Sequence, residues 1–224
     1  CTITNNVTLS TPIAPTLVIN PTSTLCYNST TAATIIVTAA SGNPPYQYSN
    51  NGGAFQSSNT FNGLTPGTYT ITVKDSFGCI ATVNQIITPA LLAQNVITKG
   101  LDCSTSPDAI ITVNVNGGTN PYQYQVNVNN GGYGAANPIT GNSFTFNTAN
   151  PGNYQFLITD AAGCTFTTSV ITINPITTPN ITSITQTQQN LCNGDSNGAI
   201  VVNIDSSQGT SPFQYSIDGG VTYQ

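Results

Sequence analysis

The stretch that decides the fold is Gly67-Thr68-Tyr69-Thr70-Ile71-Thr72-Val73-Lys74-Asp75-Ser76-Phe77-Gly78-Cys79. Tyr69, Ile71 and Val73 alternate with threonines, which predicts a β-strand with one apolar and one polar face. The residues that follow it are typical of a tight turn. The same pattern returns in register as Gly152-Asn153-Tyr154-Gln155-Phe156-Leu157-Ile158-Thr159-Asp160-Ala161-Ala162-Gly163-Cys164. A motif of this length that recurs predicts a tandem repeat.

The composition favours strands and turns and excludes some partners. Of the 224 residues, 38% are hydrophobic and only 4% are charged, and the seven acids are all Asp. Thr, Val, Ile and Tyr suit strands, while Asn, Gly and Pro suit turns. Because Lys74 and Lys99 are the only bases, the chain cannot neutralise a phosphate backbone, and we expect no nucleic acid partner. No apolar run approaches ~20 residues, so we expect no membrane span.

Two further marks align the copies. In one, a cysteine precedes an apolar strand by six or seven residues, at Cys26, Cys103 and Cys192. In the other, a glycine, a proline and two aromatic residues follow one another, in Gly42–Tyr48, Gly118–Tyr124 and Gly209–Tyr215. Three copies of the same unit are therefore present in whole or in part.

One copy predicts seven short strands, which we name A to G. They are Leu17–Asn20, Thr34–Thr38, Tyr46–Ser49, Ala54–Gln56, Thr60–Leu64, Tyr69–Val73 and Ile80–Thr88. Hairpin turns are predicted at Asn51-Gly52, Asn130-Gly131 and Asp218-Gly219. Seven strands with turn signals every 8–12 residues are typical of an immunoglobulin-like β-sandwich.

The connection between strands E and F resembles the tyrosine corner of such sandwiches. In the first copy it contains Leu64, Gly67 and Tyr69, and the second copy keeps Gly152 and Tyr154. In a tyrosine corner the phenol hydroxyl bonds to the backbone a few residues upstream. We therefore predict a structural role for these five residues.

The repeat marks predict four segments. Residues 1–13 are the last strand of a preceding repeat, residues 14–89 and 90–175 are complete immunoglobulin-like repeats, and residues 176–224 are the first half of a further repeat. We call the last three segments the first, second and third repeats. We interpret the chain as a segment of a longer polypeptide whose neighbouring repeats stack end to end as an elongated rod, because the linkers are short.

The cysteines predict disulfides rather than a metal site. There is no Cys-x-x-Cys motif and no histidine, and the cysteines recur at equivalent positions: Cys1, Cys26, Cys79, Cys103, Cys164 and Cys192. One alternative pairs them within repeats, as Cys26–Cys79 and Cys103–Cys164. The other pairs Cys26 with Cys164 across the junction, because stacking brings opposite ends of neighbouring repeats together.

The remaining polar residues give no catalytic constellation. Serine and threonine nucleophiles have no histidine to activate them. Asp75 and Asp160 lie in different repeats and are interpreted as caps of their own turns rather than as a carboxylate pair. We expect no enzyme activity and no cofactor. Calcium is the alternative, for which the sparse acids are Asp102, Asp108, Asp195 and Asp205. Asn-x-Ser/Thr triplets permit glycosylation at Asn6, Asn28 and Asn180.

These motifs together resemble a known family. The order Gly-x-x-Pro-Tyr-x-Tyr, Gly-Gly and Leu-x-Pro-Gly-Thr-Tyr-Thr-Ile-Thr-Val-x-Asp-x-x-Gly-Cys is similar to the SprB-type repeat of very large surface adhesins of gliding and other Bacteroidota. The resemblance covers residues 26–79, 103–164 and 192–224, although Ser41-Gly42 stands where Gly-Gly is usual. It implies a filament on the outer cell surface that is exported by type IX secretion.

The sequence thus predicts the structural stalk of a secreted, surface-displayed adhesin that functions in adhesion or gliding. Its partners would be neighbouring repeats and, through regions outside these residues, surface polysaccharide or other cells. One alternative is an array of carbohydrate-binding modules, which requires an exposed aromatic platform in each repeat. Another is a self-assembling extracellular fibre or sheath subunit, which requires contacts between identical chains.

Overall fold

The computed structural model describes residues 11–103, 106–189, 194, 196–209 and 211–224. These residues form sixteen β-strands, and no helix occurs among them. The all-β, sandwich-like fold predicted from the sequence is confirmed. The end-to-end stacking of repeats as a rod stays a prediction.

The chain divides into two compact units. The first contains Cys1–Ile97, described from residue 11, together with Ile111–Phe146 and Asn153–Ile171. The second contains Thr98–Ile110, Asn147–Gly152 and Thr172–Gln224. The four segments predicted from the repeat marks stay predictions.

The first repeat contains six strands in two antiparallel sheets. The strands are β1 (Pro15–Ile19), β2 (Ala33–Ser41), β3 (Gln47–Asn50), β4 (Thr60–Leu64), β5 (Gly67–Lys74) and β6 (Ile80–Ile87). One sheet has the order β1-β2-β4 and the other β3-β5-β6, which are the A-B-E and C-F-G arrangements of an immunoglobulin-like sandwich. Alternating residues of β2 and β5 are fully buried between the sheets, namely Ile35, Val37, Ile71 and Val73.

Strand D of the first repeat is not formed, and its prediction is wrong. Of the predicted segment Ala54–Gln56, Gln56 makes an isolated bridge to Tyr48. The Gln56 side chain donates to the Ser58 carbonyl at 2.9 Å. The chain therefore bends at a polar serine-rich stretch instead of continuing as a strand.

The second repeat has the same two sheets with an additional edge strand. Its strands are β7 (Leu92–Lys99), β8 (Ala109–Asn116), β9 (Tyr122–Val128), β10 (Asn137–Ile139), β11 (Ser143–Thr148), β12 (Gly152–Thr159), β13 (Thr165–Thr167) and β14 (Ile171–Ile173). One sheet has the order β11-β8-β7, and the other has the order β10-β9-β12-β13 with β14 also paired to β12. Ile111, Val113, Phe156 and Ile158 are fully buried.

The hairpin turn of the second repeat lies one residue earlier than predicted. Asn129 and Asn130 adopt positive φ angles of 52° and 61°, and the Gly131 amide donates to the Val128 carbonyl at 2.9 Å. Asn51 and Gly52 have the equivalent conformation in the first repeat. Asparagine adopts the left-handed region more readily than other residues with a side chain, so the Asn-Asn pair replaces the expected Asn-Gly pair.

The third repeat contributes an antiparallel pair, β15 (Ile181–Gln188) and β16 (Ala199–Ile204). These strands correspond to the predicted strands A and B. After them, Asp218 organises a turn by accepting hydrogen bonds from the Val221 and Thr222 amides at 3.0 and 2.9 Å.

Candidate functional site between the first and second repeats

A disulfide joins the first repeat to the second. Cys26 lies between β1 and β2, Cys164 directly precedes β13, and their Cα atoms are 5.3 Å apart. The structure therefore forms the cross-junction alternative and not the two within-repeat pairs. Cys79 and Cys103 carry free thiols, the first half-buried and the second exposed. Cys1 and Cys192 lie outside the described residues.

The direction of the strands explains which loops lie at each end of a repeat. Pro15 at the start of β1 pairs with Ser41 at the end of β2, and Ile87 at the end of β6 pairs with Gly67. The Ser76 amide of the F–G turn donates to the Asn43 carbonyl of the B–C loop at 2.9 Å, which places the F–G turn at the same end as the start of β1. We call the end with the start of strand A and the F–G turn the N-terminal end. The C-terminal end has the A–B loop and the end of strand G. Cys26 is thus at a C-terminal end and Cys164 at an N-terminal end.

The backbone of Pro89 and Ala90, which we call the linker, packs closely against the B–C loop of the second repeat. The Gly118 amide donates to the Pro89 carbonyl at 2.9 Å. A Cβ atom on Gly117 would lie 2.0 Å from the Ala90 carbonyl oxygen, and Gly117 has a φ of 71°. The close approach requires glycine at this position, because a Cβ atom would collide with the Ala90 carbonyl oxygen. The junction is therefore held by backbone contacts as well as by the disulfide.

A small cavity of about 310 Å³ lies beside the disulfide. Its apolar walls include Leu25 and Ile86 from the first repeat and Ala161 and Ala162 from the second. The side chains of the two alanines are too short to fill this space. Side chains of both repeats thus border one another here without complete packing.

Asp160 fixes the turn that carries Cys164. Its carboxylate is 5% exposed, and one oxygen accepts from the Ala162 and Cys164 amides at 2.9 and 2.8 Å. The other oxygen accepts from the Thr119 amide at 2.8 Å, which ties the F–G turn to the B–C loop. A carboxylate that accepts several backbone hydrogen bonds is stabilised while buried. Asp160 therefore holds Cys164 in place for its bond.

Asp75 makes the same contacts in the first repeat. It is 3% exposed, and its oxygens accept from the amides of Phe77 at 3.0 Å, Cys79 at 2.8 Å and Asn43 at 3.1 Å. The structure therefore gives both aspartates the role of turn cap. The sequence identified the cap but not the bond to the B–C loop, because that bond joins residues 32 or 41 positions apart.

The E–F connection of the first repeat has the hydrogen bond of a tyrosine corner. The Tyr69 hydroxyl donates to the Thr65 carbonyl at 2.8 Å and accepts from the Thr65 amide at 3.2 Å. Leu64 is buried beside it, and Gly67 begins β5. In the second repeat Gly152 begins β12, and Tyr154 is 2% exposed and packs against Phe146. These residues secure the C-terminal end of each repeat.

The tyrosine of the Pro-Tyr motif closes the B–C loop, a role that sequence reasoning missed. The Tyr122 hydroxyl donates to the Gly117 carbonyl at 2.8 Å, and the Tyr46 hydroxyl donates to the Ser41 carbonyl. The constant spacing of five residues was the available signal. The motif therefore positions the loop that receives the linker.

In the first two repeats the second aromatic residue of the motif belongs to the core or its border, whereas its third-repeat counterpart, Tyr215, is 55% exposed. Tyr48 is buried, and its counterpart in the second repeat is Tyr124. The Tyr124 ring stacks on Phe144 with centroids 3.9 Å apart. Neither ring is therefore part of an open platform on the surface.

Phe77 in the F–G turn of the first repeat is 70% exposed, and Phe55, Tyr133 and Tyr223, which follow the hairpin turns, are also exposed. The two F–G turns align residue by residue, so that Ile158 of β12 corresponds to Val73 of β5 and the small residue Ala162 corresponds to Phe77. An exposed aromatic residue at this turn is therefore a feature of the first repeat and is not shared by the second.

The remaining predicted sites within the described residues are exposed or half-buried side chains. Asn28 and Asn180 are exposed, while Asn6 lies outside the described residues. Asp102 forms an ion pair with Lys99 at 2.9 Å. Within the described ranges no three His, Cys, Asp or Glu side chains form a group that could hold a metal ion, and Asp195 lies outside them. Among the described residues there is no helix with the length and apolar character that a membrane span requires.

Sandwich repeats that recur along one chain, with a disulfide between two of them, define the class of tandem β-sandwich repeat proteins. Within this class, the family model of the SprB repeat matches residues 184–222. The recognition made from the sequence is therefore confirmed for the third repeat. A comparison with curated proteins found no match.

Proposed function

We propose that this chain is a structural stalk segment of a secreted, surface-displayed filamentous adhesin, and that it has no catalytic role. The observation that carries the proposal is the disulfide between Cys26 and Cys164, because it joins consecutive repeats covalently. The match of residues 184–222 to the SprB repeat supports the surface context. The proposal includes adhesion, gliding and type IX export, because the resemblance to the SprB-type repeat implies them.

The position of the disulfide suits a segment under tension. A pulling force that enters at the first repeat passes from Cys26 to Cys164 through one covalent bond. The strands β2 to β12 lie between these cysteines in the sequence and are bypassed by the force. Hydrogen bonds among these strands therefore need not resist the pull along this path, whereas those that join β1 to β2 and β13 to β12 do resist it.

The chemistry of the chain suits the outside of a cell. Disulfides persist in oxidising compartments and are rare where thiols are kept reduced. Surface solubility here depends on Thr, Asn, Ser and Gly, since charged residues make up only 4% of the chain. Both features support a secreted protein.

The carbohydrate-binding alternative is not favoured by the positions of the aromatic residues. It requires an aromatic platform repeated in each copy, whereas Tyr48 and Tyr122 are buried. The exposed residues Phe55, Tyr133 and Tyr223 supply one ring after the hairpin turn of each copy, and Lys74 Nζ covers the Phe55 ring at 4.2 Å from its centroid. The exposed Phe77 corresponds to Ala162 in the second repeat. The stalk is therefore the function that the geometry supports best.

Single-molecule pulling from the two chain ends tests the mechanical proposal. The disulfide spans a sequence separation of 138 residues, so reduction should add about 480 Å of extension at ~3.5 Å per residue. The variant Cys26→Ser should show the longer extension without reductant. In a polypeptide of residues 1–224, where the Cys79 thiol is free, Cys79→Ser should behave as the unaltered chain. Equal extension before and after reduction would contradict the proposal.

Antibody labelling of the cells that produce the protein tests its location. We expect intact, unpermeabilised cells to be labelled as strongly as permeabilised cells. Labelling that requires permeabilisation would overturn the proposed surface display.

A further inference from the structure

The N-terminal end of the first repeat exposes an apolar side chain beside a free thiol. Phe77 is 70% exposed, and Cys79, two residues later, is half-buried and unpaired. The corresponding end of the second repeat is covered by the C-terminal end of the first, and its cysteine is bonded. As far as the described residues show, the two equivalent surfaces thus differ in whether another repeat contacts them.

The backbone around Cys79 already has the geometry of the bonded cysteine. The Cys79 amide donates to Asp75 at 2.8 Å, as the Cys164 amide donates to Asp160 at 2.8 Å. The Asp75 amide donates to the Cys79 carbonyl at 3.0 Å, and the matching bond of the second repeat is 2.9 Å long. Cys79 is therefore held as a disulfide partner would be, before any partner is present.

We propose that this end of the first repeat is a docking surface for the C-terminal end of the preceding repeat, and that Cys79 forms a disulfide with the A–B cysteine of that repeat. The occupant is the repeat that the sequence predicts to end with residues 1–13, of which residues 1–10 lie outside the described residues. The spacing from Cys1 to Pro12 matches the spacings from Cys79 to Pro89 and from Cys164 to Pro175 to within one residue.

The partner cysteine has a defined place in the sequence. Within a repeat, 53 residues separate Cys26 from Cys79, and 61 separate Cys103 from Cys164. The A–B cysteine of the preceding repeat is therefore expected at a similar distance before Cys1. It would contact Cys79 as Cys26 contacts Cys164.

The exposed phenylalanine suits the surface that would cover it. At the observed junction, Ala162 borders the cavity of about 310 Å³ together with Leu25 and Ile86. Phe77 corresponds to Ala162 and has the larger side chain, so it would enter the equivalent cavity and bury its ring there.

The bond forms by oxidation of two thiols. Each sulfur loses one proton, and the pair loses two electrons to a disulfide oxidant such as oxidised glutathione. The Cys79 thiolate attacks the oxidant and forms a mixed disulfide, which the second thiolate then resolves. The oxidant leaves as two reduced thiols, so atoms and electrons balance.

Disulfide mapping of the natural polypeptide tests this inference, which rests on the proposed stalk. The polypeptide is purified without reductant, its free thiols are alkylated with iodoacetamide, and it is cleaved before aspartate. The peptide Asp75–Leu101 contains Cys79 as its single cysteine. We expect this peptide to be linked to one that contains the A–B cysteine of the preceding repeat.

An alkylated Cys79, or a bond from Cys79 to any other cysteine, would overturn the inference. Surface labelling is measured separately, so the stalk can survive if Cys79 is found alkylated. Failed labelling together with a mapped Cys79 bond would instead reject the surface display alone.

Substitution of the exposed apolar residue gives a second test in the same polypeptide. Phe77→Asp places a charge in the docking surface, so the alkylated fraction of Cys79 should rise severalfold. Val18→Asp is the matched control, because Val18 is 57% exposed on β1 and is not part of the surface. Equal alkylation of Cys79 in the two variants would contradict docking through Phe77.

Discussion

Single atoms decide how closely the linker can approach the second repeat. Gly117 leaves the space that the Ala90 carbonyl oxygen occupies, whereas Ser41 stands at the same position of the first repeat. Ser41 has the same left-handed conformation, with a φ of 59°. The backbone conformation is thus kept in both repeats, and the glycine is required by the contact with the linker.

The substitution Gly117→Ala should lower the free energy of unfolding by about 3 kcal/mol. The added Cβ would meet the Ala90 oxygen at 2.0 Å, and alanine is disfavoured at positive φ. Gly141→Ala is the control, since Gly141 has a φ of 77° with no atom within 4 Å of its added Cβ. It should cost about 1 kcal/mol. Equal losses in urea denaturation would contradict the steric explanation.

The substitution Asp160→Ala should lower the free energy of unfolding by about 3 kcal/mol, because three backbone amides lose their acceptor. Asp160→Asn retains one acceptor oxygen and should cost less. Asp75→Ala should match Asp160→Ala, because the network is the same. Urea denaturation measures all three, and an unchanged midpoint for Asp160→Ala would refute the role of this carboxylate.

The pKa of Asp218 should lie below its ordinary value of 3.8, because the Ser216 and Thr222 hydroxyls donate to its carboxylate. A lowered pKa favours the folded turn above pH 3.8, and this contribution is lost as the pH falls through the folded-state pKa. NMR titration measures it. Ser216→Ala should raise the pKa of Asp218 and leave that of Asp205 unchanged. An ordinary pKa in the unaltered chain would contradict the hydrogen bonds.

Some residue roles could be predicted from the sequence and others could not. The alternation in Gly67–Lys74 identified the buried positions of β5 because side chains of a strand point to opposite faces. The contact of Gly117 with Ala90 joins residues of different elements, and no local pattern records it. The hydrogen bond that each turn aspartate accepts from the B–C loop was missed for the same reason.

At the scale of elements, the strands were predicted more reliably than their edges. The segment Thr60–Leu64 was predicted with the bounds that the structure gives to β4. Strand G of the second repeat is divided into β13 and β14, and between them the buried Thr168 hydroxyl accepts from the Phe156 amide at 3.0 Å. This hydrogen bond replaces a regular strand contact, and the apolar pattern gave no sign of it.

Removal of the disulfide through Cys26→Ser should lower the free energy of unfolding by about 2 to 5 kcal/mol. The bond closes a long loop, with a sequence separation of 138 residues, and so restricts the unfolded chain. In a polypeptide of residues 1–224, Cys79→Ser removes a free thiol and should change the stability by less than about 0.5 kcal/mol. Urea denaturation with and without reductant checks both. If reductant left the urea midpoint of the unaltered chain unchanged, this expectation would be contradicted.

The pairing of the cysteines also belongs to the scale of elements. The sequence left two alternatives open because the answer depends on which end of a sandwich each cysteine occupies. The pairing of Pro15 with Ser41 and of Gly67 with Ile87 assigns those ends. A sequence without an observed strand register could not decide between the two.

At the scale of the whole molecule, the low charge should make stability nearly independent of salt. The chain has seven acids and two bases, and the ion pair between Lys99 and Asp102 is partly exposed. Screening acts on charges, and exposed pairs contribute little. We expect the free energy of unfolding to change by less than about 1 kcal/mol between about 0.05 and 0.5 M NaCl. A larger change, measured by urea denaturation, would contradict this expectation.

The disulfide also determines what a single cut in the backbone can do. Cys26 and Cys164 close a covalent ring, and a break at any one peptide bond inside the ring leaves both ends of the chain connected. Both lysines, Lys74 and Lys99, lie inside it, and the chain has no arginine. A trypsin-like protease that cut after both lysines would therefore release no more than residues 75–99. The two outer fragments would stay linked by the disulfide, so the polypeptide would remain connected from one end to the other.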